Sequence, residues 1–449
     1  MTRKSALGRL ARAGLVALCL PTAPAWAATE DIATPVEAFL YADELVFSEL
    51  ECHARPGDVP VARRLAGEDL IFPLPVLERV PDGWLRLGVA GAACWIAPAT
   101  YVERADAAPT HGARTRGLYR KPNYVTMRIF YATNRKASGE PAPANRYLGA
   151  RGSLEQGVCE VSIPRDHRLG QLEQPSLWRL EFKPDPEQHV LLLSVAPQAR
   201  DDFMAEVRAR VAQSKSRSLF VFVHGYNANF ADAARRTAQM TYDLGYDGAP
   251  ILFSWPSQGR LSGYLEDENN SEWSVPDLRD FLADLARRAG DGEIYLVAHS
   301  MGNRVATRAL ARLLTEQPAL APRFRELLLI APDLDVDIYR RELAPVFAQA
   351  GPRVTLYASN RDKALSASKK LHGGTRLGDA SPVTVLAGMD SIDATEVETD
   401  LLGHSYFAEA KHVLSDLFAV IREHRPVSLR AWLEEVAGRD GRYWRFQAP

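Results

Sequence analysis

Residues 294–305 read IYLVAHSMGNRV. The run from Ile294 to Ala298 has the composition of a buried strand, and it breaks at once into a turn with Ser300 at its tip. Gly302 then opens GNRVATRALARLL, whose apolar residues recur at helical spacing. Strand, tight turn and helix would leave the serine hydroxyl standing at a strand end. Such a turn needs small residues two before and two after the serine, and Ala298 and Gly302 supply them. Ser257-Gln258-Gly259 shares part of the pattern, but bulky Trp255 stands where its small residue should be.

Strand and helix signals alternate from about Val125 onward. MRIFYA, GVCEVSI, HVLLLSVA, SLFVFVHG, APILFSW, EIYLVAHS, RELLLIAPD and RVTLYASN read as strands, with a last one near PVTVLAG. DDFMAEVRARVAQS, ADAARRTAQMTYDLG, VPDLRDFLADLARRAG, VDIYRRELAPVFAQAG and YFAEAKHVLSDLFAVIREH read as helices. Strands that are apolar throughout, each followed by an amphipathic helix, imply an α/β fold with a doubly wound, mostly parallel sheet covered on both faces. Between Pro256 and Trp273 the stretch SQGRLSGYLEDENNSEW reads as a polar loop, either a short lid or an exposed connection (residues 257–273).

Ligands of open α/β sheets sit beyond the carboxyl ends of the strands, and polar groups collect there. One strand ends in His224-Gly225-Tyr226-Asn227, the next in Ser254-Trp255-Pro256-Ser257, and later ones in Ala331-Pro332-Asp333 and Ser359-Asn360-Arg361-Asp362. If Ser300 attacks a carbonyl, the oxyanion needs donors: the N–H of Met301, which follows the serine, and that of Tyr226 in the His-Gly-Tyr loop. His224 is expected to orient that loop, because the base should come late in chain order. Past the turn lie His372, His404, His412 and His424. His404 falls after the last expected strand and before the last helix, where a base can reach the serine; His412 and His424 fall on the helix itself. Asp362 is the expected acid and Asp333, one strand earlier, the alternative.

IFYATNRK, RYLGARGSLEQGVCEVSIPRDHRLG, VFVHGYNANF, FSWPSQG, LVAHSMGNR, LLIAPDLD, YASNRDKAL and GHSYF, in this order over roughly residues 123–424, resemble a bacterial α/β-hydrolase family of unknown function in the esterase/lipase superfamily. The resemblance implies the α/β-hydrolase fold and a Ser300–Asp362–His404 triad, and names no substrate. A serine hydrolase acting on a small-molecule ester through an acyl-enzyme is the expectation. Amidase or acyltransferase chemistry on the same fold is one alternative, and a non-catalytic envelope-binding protein is another.

The amino-terminal segment differs in kind. MTRKSALGRLARAG is basic, LVALCL is apolar, and Ala25-Trp26-Ala27 offers a small-x-small cleavage site, so residues 1–27 read as a signal peptide and the mature protein as exported, periplasmic or secreted. Residues 33–103 carry short alternating runs broken by Pro-Asp-Gly and Gly-Ala-Ala turns, which predicts a small β domain. DGWLRL and CWIAPATYV, with Trp84 and Trp95, resemble the last hairpins of bacterial SH3-like barrels; the alternative is a plain β barrel with core tryptophans. An SH3-like unit would imply a cell-wall or protein partner. Residues 104–122 read as a linker and residues 123–449 as the hydrolase domain.

In an exported chain Cys52 and Cys94, which bracket the small domain, are the expected disulfide, and Cys159, in the apolar run GVCEVSIP, a buried free thiol. A hydrophobic fraction of 46% with 24% charged residues marks a globular chain, and a net charge of −2 gives no field to recruit nucleic acid. Beyond the signal peptide no run approaches transmembrane length. There is no HExxH motif, paired CxxC or Gly-rich phosphate loop, so neither a metal nor a nucleotide cofactor is expected.

Overall fold

The computed structural model describes residues 38–40, 49–65, 74–89, 92–100, 123–174, 184–361, 365, 368–369, 373–397 and 410–447. The signal-peptide, linker, Asp362, His372 and His404 expectations lie outside these residues.

Residues near the amino terminus build a six-stranded sheet from β1 (Ala38–Leu40), β2 (Glu49–His53), β3 (Pro60–Leu65), β4 (Leu74–Arg79), β5 (Leu85–Val89) and β6 (Ala92–Ile96), in the order β1-β4-β5-β6-β2-β3. Every pairing is antiparallel. Cys52 on β2 and Cys94 on β6 are joined by a disulfide with Cα atoms 5.2 Å apart, and Cys159 is a buried free thiol. Trp84 meets the His53 ring edge-on at 4.9 Å.

The larger sheet has eleven strands. Its antiparallel flank is β7 (Tyr124–Ala137), β8 (Tyr147–Pro164) and β9 (Leu191–Gln198). Its parallel centre is β10 (Ser218–Val223), β11 (Ala249–Ser254), β12 (Glu293–His299), β13 (Phe324–Ile330), β14 (Arg353–Ala358) and β15 (Met389–Asp393). A terminal hairpin, β16 (Leu433–Gly438) and β17 (Gly441–Phe446), adds to the β15 edge, giving β16-β17-β15-β14-β13-β12-β10-β11-β7-β8-β9.

Period-two alternation along the central strands divides the core. Leu219, Val221 and Val223 of β10, with Leu296 and Ala298 of β12, face α1 (Arg200–Gln213), α3 (Tyr264–Arg288) and α4 (Gly302–Glu316). Phe220 and Phe222, with Tyr295 and Val297, face α2 (Phe230–Asp243) and α5 (Ala410–Ile421). These strands are buried on both faces, which is why they read as unbroken apolar runs.

Three segments depart from the sequence reading. The polar stretch 257–273 is no continuous loop: α3 begins at Tyr264 and runs 25 residues through Pro276. Pro276 favours a first helical turn and so mimics a helix start, while Glu266 and Asp267 at the true first turn complement the helix dipole. The strand expected near PVTVLAG begins immediately after it, as Met389–Asp393, aligned beside β14 through Ala358↔Asp393. The carboxyl-terminal hairpin has no counterpart in the sequence reading. The chain leading to it is held by fully buried Arg430, whose guanidinium lies 3.4 Å from Asp416 and 3.5 Å from Glu326. Among the described residues no helix is long and apolar enough to cross a membrane.

Candidate active site

Two neighbouring strand ends create the site. β10 and β12 run parallel in a register that sets Val223 beside Ala298, so the loop after β10 and the turn after β12 meet. Ser300 has φ +50°, in the left-handed region that a non-glycine residue occupies only when its surroundings enforce it, at roughly 1–3 kcal/mol. The enforcement is visible. Ser300 N–H donates to the Ile330 carbonyl at 3.0 Å, while the Ser300 carbonyl accepts from Asn303 N–H at 3.1 Å, Asn303 Nδ2 at 2.9 Å and Asp333 N–H at 3.2 Å. Met301 caps α4, so the positive end of a 15-residue helix lies directly behind the serine. Ser300 itself is half-buried.

Two glycines allow the close approach. A Cβ on Gly302 would lie 2.3 Å from the His224 carbonyl oxygen and 2.5 Å from that of Val223. A Cβ on Gly225 would lie 2.8 Å from His299 Nδ1 and 2.9 Å from Ser300 Cβ. The His-Gly-Tyr loop is therefore in contact with the turn that bears Ser300. Asn227, at φ +58°, turns the chain back, and an Asn229–Asp232 capping box starts α2 immediately afterwards.

His224 is 1% exposed and engaged through both ring nitrogens. Nδ1 lies 2.8 Å from the Gly225 carbonyl and Nε2 lies 3.1 Å from Ser254 Oγ, while the ring stacks on Trp255 at 5.1 Å. Burial, then the Arg135 charge, lowers its pKa to about 3, so it is neutral and unsuited to act as a general base near neutral pH. His299 is likewise lowered to about 3, by burial and then by Arg236.

Asp333 has no histidine among its described partners. Its carboxylate accepts from Tyr264 OH at 2.5 Å and Ser368 Oγ at 2.6 Å, with Arg304 Nη2 at 3.3 Å and Arg376 Nε at 3.5 Å. It ties the start of α3 to the end of β13. The structure thus brings Ser300, Met301, Gly302, His224, Gly225 and Tyr226 together, and puts Asp333 in a neighbouring ionic cluster. Asp362 follows β14 by four residues in the chain, and His404 lies between β15 and α5.

One residue near the site escapes the sequence reading. Arg135, at the end of IFYATNR, is 1% exposed and lies behind the loop after β10. It donates from Nε to Ser254 Oγ (2.8 Å), from Nη1 to the Ser257 carbonyl (2.8 Å) and from Nη2 to the Ala228 carbonyl (2.7 Å). Beside it, Asp267 accepts from Ser257 Oγ at 2.5 Å and from Gln258 N–H at 2.7 Å. Among the described residues no group of three acidic, His or Cys side chains could hold a metal ion.

A parallel-centred sheet with helices on both faces and a left-handed serine between strand and helix defines the α/β-hydrolase class. Residues 199–423, half of the chain, match the family described as "Alpha/beta hydrolase of unknown function (DUF900)", and the protein belongs to that family. The uncharacterized protein alr1448 of Nostoc sp. is 33% identical over 66 residues, which span 15% of this chain and 17% of that relative's length. Among solved structures, Aspergillus fumigatus lipase B matches with a TM-score of 0.26 and 11% identity, over 50% of this chain and 54% of its own. Fungal esterases from Rhizomucor miehei match at 0.28 and 12%, over 68% and 84%. A cold-adapted esterase from an Arctic intertidal metagenomic library matches at 0.30 and 13%, over 66% and 94%. At these scores the three structures bear neither on activity nor on substrate.

Proposed function

We propose that the protein is an exported serine hydrolase that cleaves carboxylic esters through an acyl-enzyme. The observation that carries this reading is Ser300 at φ +50°, raised between β12 and α4 with a glycine loop packed on its Cβ. A strained serine at the positive end of a helix is costly as a mere turn and useful as a nucleophile. In this reading His404 takes the Ser300 proton, Asp362 orients the imidazole, and the Tyr226 and Met301 N–H groups receive the oxyanion. The proton then passes from His404 to the leaving alcohol, and water, activated by the same imidazole, releases the acid. The basic, apolar and Ala25-Trp26-Ala27 sequence supports export, and the antiparallel sheet near the amino terminus, read as SH3-like, would bind a cell-wall or protein partner.

The test is fluorophosphonate labelling of the purified mature protein, with p-nitrophenyl esters of graded chain length assayed on wild type and Ser300→Ala. Labelling at Ser300 and loss of turnover in the variant are expected. Full turnover in Ser300→Ala would refute the reading.

A further inference from the structure

Three buried polar side chains behind the Ser300 site form one chain of hydrogen bonds with a cation at its far end. Donor directions follow from chemistry alone. The Gly225 carbonyl can only accept, so His224 Nδ1, 2.8 Å away, carries the proton and donates. His224 Nε2 is then a bare acceptor. It faces Ser254 Oγ at 3.1 Å, with Arg135 Nη2 at 3.4 Å. Ser254 Oγ accepts from Arg135 Nε at 2.8 Å, which leaves its own proton for His224. The sequence is therefore Arg135 to Ser254 to His224 to the Gly225 carbonyl. All three side chains are at most 1% exposed, and no carboxylate among the described residues lies within ion-pair distance of Arg135.

The Gly225 carbonyl belongs to the same peptide unit as the Tyr226 N–H. That unit is planar and trans, so carbonyl and N–H point in opposite directions. A donor that fixes the carbonyl also aims the N–H, and drawing electron density toward the carbonyl makes the N–H a stronger donor.

We propose that Arg135, Ser254 and His224 act as a positioning relay that aims and polarises the Tyr226 N–H toward the oxyanion formed at Ser300. This inference rests on the hydrolase reading above and deepens it. The relay accounts for a buried arginine whose hydrogen bonds go to neutral acceptors, with Asp267 and Asp232 acting on it only at longer range. It also accounts for a histidine in the loop that cannot serve as a base, because its protonated form would set Nε2–H against the Arg135 guanidinium. Trp255 keeps the ring in plane by stacking, and its Nε1 donates to the His224 carbonyl at 2.7 Å.

The relay predicts a particular kinetic signature. Deleting one oxyanion donor costs about 10²–10³ in turnover, so weakening one through the relay should cost roughly 10- to 100-fold. Ser254→Ala, which removes a single oxygen, and His224→Phe, which keeps the stacking, should lower kcat by that factor with KM within about twofold. Affinity for a trifluoromethyl ketone, whose adduct carries the oxyanion, should fall by the same factor. His224→Asn puts an N–H back where Nδ1 stood and should recover part of both losses. Arg135→Met is expected to lose stability as well, so Ser254→Ala is the deciding variant. Unchanged kcat in Ser254→Ala with Ser300 still labelled by fluorophosphonate overturns the relay and leaves the hydrolase reading intact. So does a kcat loss with no change in trifluoromethyl ketone affinity, which marks a purely structural role. Wild-type turnover in Ser300→Ala instead sinks the hydrolase reading, and the relay with it.

Discussion

Gly225→Ala adds one methyl group where the loop after β10 touches the serine. The new Cβ would lie 2.8 Å from His299 Nδ1 and 2.9 Å from Ser300 Cβ, whereas ordinary contact begins near 3.4 Å. The overlap is about half an ångström on each, well inside the repulsive wall. Neither obstacle can step aside cheaply. Ser300 Cβ is one bond from a backbone already held at φ +50°, and His299 Nδ1 is buried. Gly225 itself has no positive φ, so the effect is one of contact rather than backbone strain. The loop must then retreat from Ser300 by roughly half an ångström. Since an ångström of misplacement costs about 10²-fold, turnover should fall about 10- to 100-fold. The overpacking should destabilise by about 1–3 kcal/mol. The assay is kcat and KM on a soluble p-nitrophenyl ester, with thermal unfolding of the same samples. Wild-type kcat at wild-type Tm would show that the loop does not position anything at the serine. Gly302→Ala is the sharper lesion, because its Cβ meets two backbone carbonyls at 2.3 and 2.5 Å; loss of the folded protein is expected there.

The remaining predictions test the triad, a buried charge and the disulfide. Ser300→Ala and His404→Ala should each cost up to on the order of 10⁶ in turnover, the double variant little more, and Asp362→Asn somewhat less, as expected of residues acting as a unit. Asp333→Asn should keep most of its turnover while losing about 3–5 kcal/mol, because it removes the carboxylate facing Arg376 and one of the two facing Arg304, which keeps Glu268; abolished turnover there, with Asp362→Asn nearly intact, would move the acid one strand earlier. His167 is bracketed by Glu173 at 2.7 Å and Asp243 at 2.9 Å; burial opposes its charge, but the two carboxylates prevail and raise its pKa to about 10. Its stabilisation is complete below the unfolded value near 6.5 and is lost as pH rises through about 10, so the stability gap between wild type and His167→Gln should shrink over that window in denaturant titrations. A constant gap would refute it. Reducing Cys52–Cys94, 42 positions apart in sequence, should cost the amino-terminal sheet about 4 kcal/mol, read as a lowered unfolding midpoint for that sheet.

How far the sequence can be read depends on the range of the forces involved. The turn at Ser300 is legible because everything that shapes it is local: an apolar strand, two small residues and a helix start within a dozen positions. The doubly buried strands are legible for the same reason. The start of α3 is not, because Pro276 is locally a better helix opener than Gly263-Tyr264, and the true start is fixed by contacts such as Tyr264 OH to Asp333, 69 residues away in sequence. The strand expected near PVTVLAG begins only after it, because pairing with β14 selects Met389–Asp393 over the stretch of higher β propensity. His404 and Asp362 stand on chain order, as they lie outside the described residues.

Arg135 shows the limit most clearly. It closes a strand and is followed by Lys136, a setting in which a charged side chain usually faces water. Its acceptors, Ser254, Ser257 and Ala228, come from residues 93 to 122 positions away, and no local pattern encodes their convergence. The glycines carry the opposite lesson. Gly225 and Gly302 look like ordinary turn formers in sequence, yet the structure needs them for proximity: glycine is the only residue type that lets the loop after β10 and the turn after β12 touch. That contact brings the Arg135–Ser254–His224 chain up against the serine. A methyl on Gly225 should therefore do more than crowd the loop. By shifting the Gly225 carbonyl away from His224 Nδ1 it should uncouple the relay, so that Ser254→Ala costs less in a Gly225→Ala background than in wild type. Equal costs in the two backgrounds would mean that the loop and the relay act independently.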